Sequence, residues 1–220
     1  MDIFTKIIYF IKKPRIILIT GQGYDKSSRV LSFVLGKYYK VGTFKINEPN
    51  LKDILKYNIF IFEYSPENKD NFKKWLLISK NPILIATNTG EILSEKGFFQ
   101  GDQTLSQKIK ELADILPLFS HLILNYDDES LRALIPHIKT EFSSFGVAAR
   151  ADFVASDIIA NKENETEGVN FKINYNGKVV PVWIKKGEKE DIYASLVGAA
   201  CGEVLGVNLV EISNVLSESF

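Results

Sequence analysis

The chain has 220 residues, 45% hydrophobic and 25% charged, with 27 Lys and Arg against 27 Asp and Glu. This is the composition of a globular protein with one large core, and the balanced charge leaves no excess to draw it to nucleic acid, so no nucleic-acid partner is expected. A single cysteine, Cys201, excludes an intrachain disulfide and fits a cytoplasmic location, and no stretch reaches the roughly 18 apolar residues of a membrane span.

Residues 1–14 form a short basic, amphipathic segment, Ile3-Phe4-Thr5-Lys6-Ile7-Ile8-Tyr9-Phe10-Ile11-Lys12-Lys13 followed by Pro14, without the cleavage site of a signal peptide. It reads as a helix packed on the domain or, at most, as a peripheral membrane or partner-docking helix through residues 1–13. The apolar run 15–20 is a strand, and Gly21-Gln22-Gly23-Tyr24-Asp25 turns the chain into a helix over 26–38, with Val30, Leu31, Val34 and Leu35 at helical spacing. Further strands are predicted at 59–63, 82–87 and 121–125, and helices at 68–79, 105–116 and 129–138. Continuous apolar strands alternating with helices imply a mainly parallel sheet covered on both faces.

Near Phe145 the pattern changes. Residues 151–159, 170–175 and 178–184 read as strands, the last two joined by the hairpin signal Asn176-Gly177, with the polar run 161–168 as a loop. Helices follow at 191–205, stopped by Gly206, and at 209–217. Cys201, within Gly198-Ala199-Ala200-Cys201-Gly202, reads as a small buried core residue. The fold class is thus a P-loop-type, three-layer α/β domain: an α/β core over 15–147, a small β-rich segment over 148–185, and closing helices over 186–220.

The candidate chemistry lies at Thr20-Gly21-Gln22-Gly23-Tyr24-Asp25-Lys26-Ser27-Ser28. In a P-loop, backbone N–H groups surround phosphates, a Lys neutralises them and a Ser or Thr hydroxyl holds Mg²⁺. Lys26 and Ser27 have the right types and order, but Asp25 stands directly before Lys26. As a good helix N-cap, it is expected to occupy the N–H groups that would otherwise meet phosphate. Lys26 either contacts phosphate or pairs with Asp25 or Glu63. Glu63, at the end of a strand, is either a metal ligand or a solvated crevice residue. His121 and His137 read as structural, and Asp127-Asp128 as a turn and helix-capping pair.

Further segments, in order, resemble the Mur ligase family: Ile61-Phe62-Glu63, Thr87-Asn88-Thr89-Gly90, Leu124-Asn125-Tyr126-Asp127-Asp128 followed by Leu131, Ala151-Asp152-Phe153-Val154-Ala155-Ser156-Asp157-Ile158, and Ala199-Ala200 through Leu205-Gly206-Val207. The resemblance covers residues 15–217 and is nearest to the central, ATP-binding domain of the branch that adds D-alanyl-D-alanine. It implies ATP and Mg²⁺ as cofactors, Gly21, Gly23, Lys26, Ser27, Ser28 and Asn88 as nucleotide-binding residues, and Ser27 and Glu63 as Mg²⁺ ligands.

The departures are specific. The family has Gly before the Lys, and one residue fewer between Gly21 and that Lys. After Thr87-Asn88-Thr89-Gly90 it has a metal-holding His, where this chain has Glu91-Ile92-Leu93. Its often carbamylated Lys aligns with Ile109, between Lys108 and Lys110. Its His-Asn, then Asn three residues on, align with Glu190-Asp191 and Ala194. The family's UDP-sugar and C-terminal domains have no counterpart in the sequence. The expectation is a non-catalytic binding or regulatory homologue linked to peptidoglycan precursor synthesis, inactive as a ligase alone; the alternative is the ATP-binding subunit of a split ATP-dependent amide ligase. In either case the expected partner is another protein chain, a cell-wall ligase or the missing ligase domains.

Overall fold

The computed structural model describes residues 3–45, 49–64, 79–91, 98, 100–163, 166–185 and 187–218. Six strands build the α/β part: β1 (Arg15–Thr20), β2 (Val41–Phe44), β3 (Ile59–Glu63), β4 (Ile83–Ala86), β5 (His121–Asn125) and β6 (Glu141–Gly146). Three longer strands follow: β7 (Phe153–Glu163), β8 (Thr166–Tyr175) and β9 (Lys178–Lys185). They form one nine-stranded sheet in the order β2-β3-β1-β4-β5-β6-β7-β8-β9. Pairing is parallel from β2 to β7 and antiparallel through β7, β8 and β9.

Alternation along β1 divides the core into two layers. Ile17 and Ile19 face α2 (Tyr24–Gly36), α6 (Lys189–Val204) and α7 (Leu209–Glu218), and the inner faces of β8 and β9 join the same cluster through Phe171, Ile173, Val180 and Val182. Ile16 and Leu18 face the opposite layer, built from α1 (Ile3–Lys12), α3 (Leu51–Lys56), α4 (Gln103–Asp114) and the short α5 (Glu129–Arg132). The three-layer α/β class read from the sequence is the class observed. Small residues line α6 where it meets α2: a Cβ on Gly198 would make ordinary contact with Val30 Cγ1 at 3.4 Å and Val34 Cγ2 at 3.5 Å. Cys201 is fully buried in this interface, which pushes its thiol pKa far up and makes it a packing residue.

Several elements differ from expectation. β2, α3 and β6 were not foreseen, because each is short or half polar. The helix expected over 129–138 breaks after Arg132 and resumes only as a single 3₁₀ turn, Ile135–His137, that contains Pro136. The loop expected over 161–168 is largely strand, since β7 runs to Glu163 and β8 starts at Thr166. The helix expected over 68–79 lies outside the described residues, apart from Ser79, whose Oγ accepts the Ile16 N–H at 3.1 Å. Among the described residues, no helix is long and apolar enough to cross a membrane.

Candidate functional site

The crevice lies beyond the carboxyl ends of the neighbouring parallel strands β1 and β4. Ligands of open α/β sheets gather at such a point. The chain leaves β1 through Gly21 (φ +109°) and Gly23 (φ +69°), two left-handed positions that favour glycine. Gly23 is the N-cap of α2, and no side chain caps this helix. The expected capping role of Asp25 is therefore overturned. The two glycines complete the turn before Asp25, so it falls inside the first helical turn, where it is exposed and pairs with Arg29 at 3.7 Å.

The turn is held from the side by the segment after β4. Thr87 Oγ1 shares its single proton between the carbonyl oxygens of Thr20 (3.0 Å) and Gln22 (2.7 Å), and Gln22 N–H donates to Asn88 O at 2.7 Å. The contact is so close that a Cβ on Gly21 would meet Thr87 Oγ1 at 2.5 Å and Asn88 O at 2.6 Å. The segment is in turn anchored by Asp128, which caps α5 through the Ser130 and Leu131 N–H groups. Its other oxygen accepts from Thr89 N–H (2.6 Å) and Thr89 Oγ1 (2.8 Å). Asp127 is buried beside it and accepts from the Val147 and Ala148 N–H groups and from the Tyr193 hydroxyl at 2.7 Å. Burial raises its carboxyl pKa, against the pull of those three donors and of Arg132. The aspartate pair is thus a structural clamp on both flanks of the crevice.

Lys26 has unexpected partners. Its ammonium lies 3.1 Å from Asp191, 3.5 Å from Glu190 and 3.6 Å from Glu188, all at the start of α6. Asp191 is nearly buried. One of its oxygens accepts the Glu188 N–H at 2.7 Å, which orients the other toward Lys26. Acidic side chains suit a helix N-terminus, so α6 stabilises the cluster that holds the lysine. Burial lowers the pKa of Lys26, but the hydrogen bond and charge of Asp191, with Glu190 and Glu188, outweigh it and hold the pKa above the ordinary 10.5. One ammonium faces three carboxylates, so the group carries a net charge of −2 at neutral pH. Neither Asp25 nor Glu63, the partners considered from sequence, pairs with Lys26.

Gln22, Gly23, Ser27, Thr87, Asn88, Glu91, Phe145, Glu190 and Tyr193 line a cleft of about 410 Å³. Of the expected nucleotide-binding residues, Gly23, Ser27 and Asn88 reach this cleft and Lys26 borders it through Glu190. Gly21 packs against Thr87 behind the cleft, and Ser28 is fully buried with its Oγ unpartnered. Glu63 is not among the described lining residues. Its side chain is nearly buried, pairs with Lys45 at 3.5 Å and leaves Oε2 without a hydrogen bond. Among the described residues, no group of three or more His, Cys, Asp or Glu is arranged to hold a metal ion. His121 opens β5 at the opposite edge of the sheet, 2.9 Å from Ser143 Oγ.

No family model matches the sequence. A curated relative, the UDP-N-acetylmuramate–L-alanine ligase of Persephonella marina, is 22% identical over 157 residues, which are 71% of this chain and 31% of the relative. MurF from Acinetobacter baumannii shares the fold with a TM-score of 0.71 at 14% identity, over 97% of this chain and 49% of that structure. MurF from Thermotoga maritima, solved in complex with ADP, superposes with a TM-score of 0.65 at 12% identity over 97% of this chain and 52% of its own. The chain is similar to Mur ligases in sequence and in fold. It spans about a third of the curated relative and about half of the matching structures.

The departures from the Mur ligase pattern take physical form in the structure. Ile109, where the resemblance sets the family's Lys, is buried in the core, and Lys110 beside it pairs with Asp114 at 2.9 Å. Glu190 and Asp191, where the resemblance leads one to expect His-Asn, hold Lys26. Tyr193, missed from sequence, ties the wall of the cleft to Asp127. The signal for the Lys26 cluster was present as three acidic residues at a predicted helix start. What sequence could not supply was its juxtaposition with a lysine more than 160 residues earlier.

Proposed function

We propose that this Mur ligase relative is a non-catalytic binding or regulatory module linked to peptidoglycan precursor synthesis. The observation that carries this reading is the occupation of Lys26 by Asp191, Glu190 and Glu188. A phosphate-binding lysine acts by offering a positive charge to an anion, and the surrounding carboxylates here cancel and reverse that charge. Glu91 adds a further acid to the cleft, and Asp25 stands in the first turn of α2. In this arrangement the residues do not fit a bound triphosphate with Mg²⁺, and no phosphoryl-transfer step follows from them. The partner in this reading is another protein chain acting in cell-wall synthesis.

The test is calorimetric titration of Mg-ATP into the full chain. The expected result is no binding at millimolar ATP, with measurable affinity in a Glu190→Gln/Asp191→Asn double variant that Lys26→Ala then removes. Micromolar binding by the unaltered chain, lost in Lys26→Ala, would overturn the proposal.

One observation favours a second reading, the ATP-binding subunit of a split amide ligase: Gly23, Ser27 and Asn88 share an open cleft, in a fold that carries ADP in the Thermotoga maritima MurF. In that reading the acidic tip of α6 withdraws when a second chain supplying the remaining ligase domains docks, and ATP affinity appears only in the complex.

A further inference from the structure

A surface helix on a globular domain is apolar on one face and polar on the other, and α1 departs from that rule. Its inner side is anchored: Tyr9 is fully buried and stacks on Phe60 with ring centroids 5.8 Å apart. Lys12 Nζ donates to the carbonyl oxygens of Ile54 and Leu55, pinning α1 to the end of α3. Its outer side carries Ile7, Phe10 and Ile11, which are 52%, 60% and 75% exposed. Their i, i+3, i+4 spacing places them on one face, and Leu55 of α3 adds another large exposed apolar side chain.

At the C-terminal end of α1 lies a hollow of about 270 Å³ whose lining includes Lys12, Lys13, Arg15 and Lys80, with Tyr39 and Asn58. Among the described lining residues there is no carboxylate. The chain as a whole has zero formal charge, so four cations around one hollow represent a strong local segregation of charge. The hollow and the apolar face are continuous, since the Lys13 ammonium stands 5.2 Å from the centre of the Phe10 ring.

We propose that the outer face of α1 and this basic hollow together dock the protein onto an anionic lipid membrane. Ile7, Phe10 and Ile11 enter the boundary between headgroups and acyl chains, and the hollow receives lipid phosphate oxygens. Charge complementarity selects this occupant. A second copy related by two-fold symmetry would bring four cations against the same four cations, and a free small anion leaves the three apolar side chains in water. Arg15 and Ile59 are the first residues of β1 and β3, so the hollow lies at the edge of the sheet opposite the Lys26 cleft. Docking there keeps the cleft turned away from the bilayer.

The experiment is co-sedimentation of the full chain with vesicles of phosphatidylcholine alone and with vesicles containing about one-third phosphatidylglycerol. Binding is expected only to the anionic vesicles. Each basic side chain near such a surface contributes about five-fold, so Lys13→Glu/Lys80→Glu lowers affinity by about 25-fold or more. Phe10→Ser/Ile11→Ser lowers it by at least about ten-fold. Both pairs of residues are mutated at the surface, and unchanged melting temperatures confirm that the variants fold. Absence of binding to anionic vesicles, equal binding to neutral ones, or indifference to both double variants would overturn the proposal. So would dimerisation of the unaltered chain that Phe10→Ser/Ile11→Ser abolishes without any vesicle binding, or inorganic phosphate binding in the hollow by a chain that ignores vesicles.

Discussion

Replacing Gly21 by alanine tests whether the turn after β1 is held by the Thr87 segment or merely rests beside it. The residue has φ +109°, beyond the left-handed well that non-glycine residues tolerate at a cost of about 1–2 kcal/mol. The new methyl group would lie 2.5 Å from Thr87 Oγ1, 2.6 Å from Asn88 O and 2.9 Å from Asn88 N. Two of those atoms are backbone, so the contact cannot be relieved by rotating a side chain. The segment must move, which breaks or stretches the shared Thr87 hydroxyl bond and the Gln22–Asn88 bond, at about 1 kcal/mol each. The expected loss is about 3–5 kcal/mol, and at about 2–4 °C per kcal/mol for a chain of this length the melting temperature falls by about 6–20 °C. Thermal unfolding followed by circular dichroism measures it. Gly36→Ala is the control, since a Cβ there meets nothing within 4 Å. If Gly21→Ala melts within about 2 °C of the unaltered chain, the turn is not clamped and the account of the site's architecture is wrong.

Two further outcomes follow from the same site. Asp128→Ala removes the cap of α5 and leaves two buried donors of Thr89 without an acceptor, a loss of about 3 kcal/mol that appears as a lower urea midpoint at unchanged slope. The Lys26 cluster predicts a pH dependence. Because Lys26 holds its proton more tightly in the folded chain than its ordinary 10.5, its contribution is complete below that value and is lost as pH rises through the higher folded value. Urea midpoints followed upward from about pH 9 should therefore fall more steeply for the unaltered chain than for Lys26→Met, and parallel curves would remove the cluster from the stability of the fold.

The strands β1, β3 and β5 were legible from end to end, because a strand covered on both faces is apolar through its middle, as in Ile16–Ile19, Ile59–Phe62 and Leu122–Leu124. β6 escaped for the opposite reason. Glu141-Phe142-Ser143-Ser144-Phe145-Gly146 is half polar, and its buried Ser144 is tolerated because Asp152 accepts from both its N–H and its hydroxyl at 2.7 Å. That compensation comes from the following loop and has no signature in the strand itself. α3 is too short for periodicity to register, although its Asn50 and Asp53 form a reciprocal cap that marks its start. Within the polar run, 161–163 and 166–168 pair as strand because their backbones find partners across β7 and β8, which hydropathy does not report. In the site, Lys26 and Ser27 were found by residue type and order. Asp25 was misread because helix starts depend on where the backbone completes its turn, and two positive-φ glycines moved that point two residues earlier.

The tight seam between α2 and α6 gives the Lys26 cluster a source far from the cleft. At Gly198 the middle of α6 meets Val30 and Val34 with room for no more than a methyl group in ordinary contact, and the two ends of the cluster are carried on the first turns of those same two helices. The electrostatic state of the crevice is thus written partly in the spacing of the core. A bulkier side chain at position 198, with no charge and no exposure to ligand, would act as a wedge. By spreading the helices it would lengthen the lysine–carboxylate distances and shift the crevice toward accepting anions.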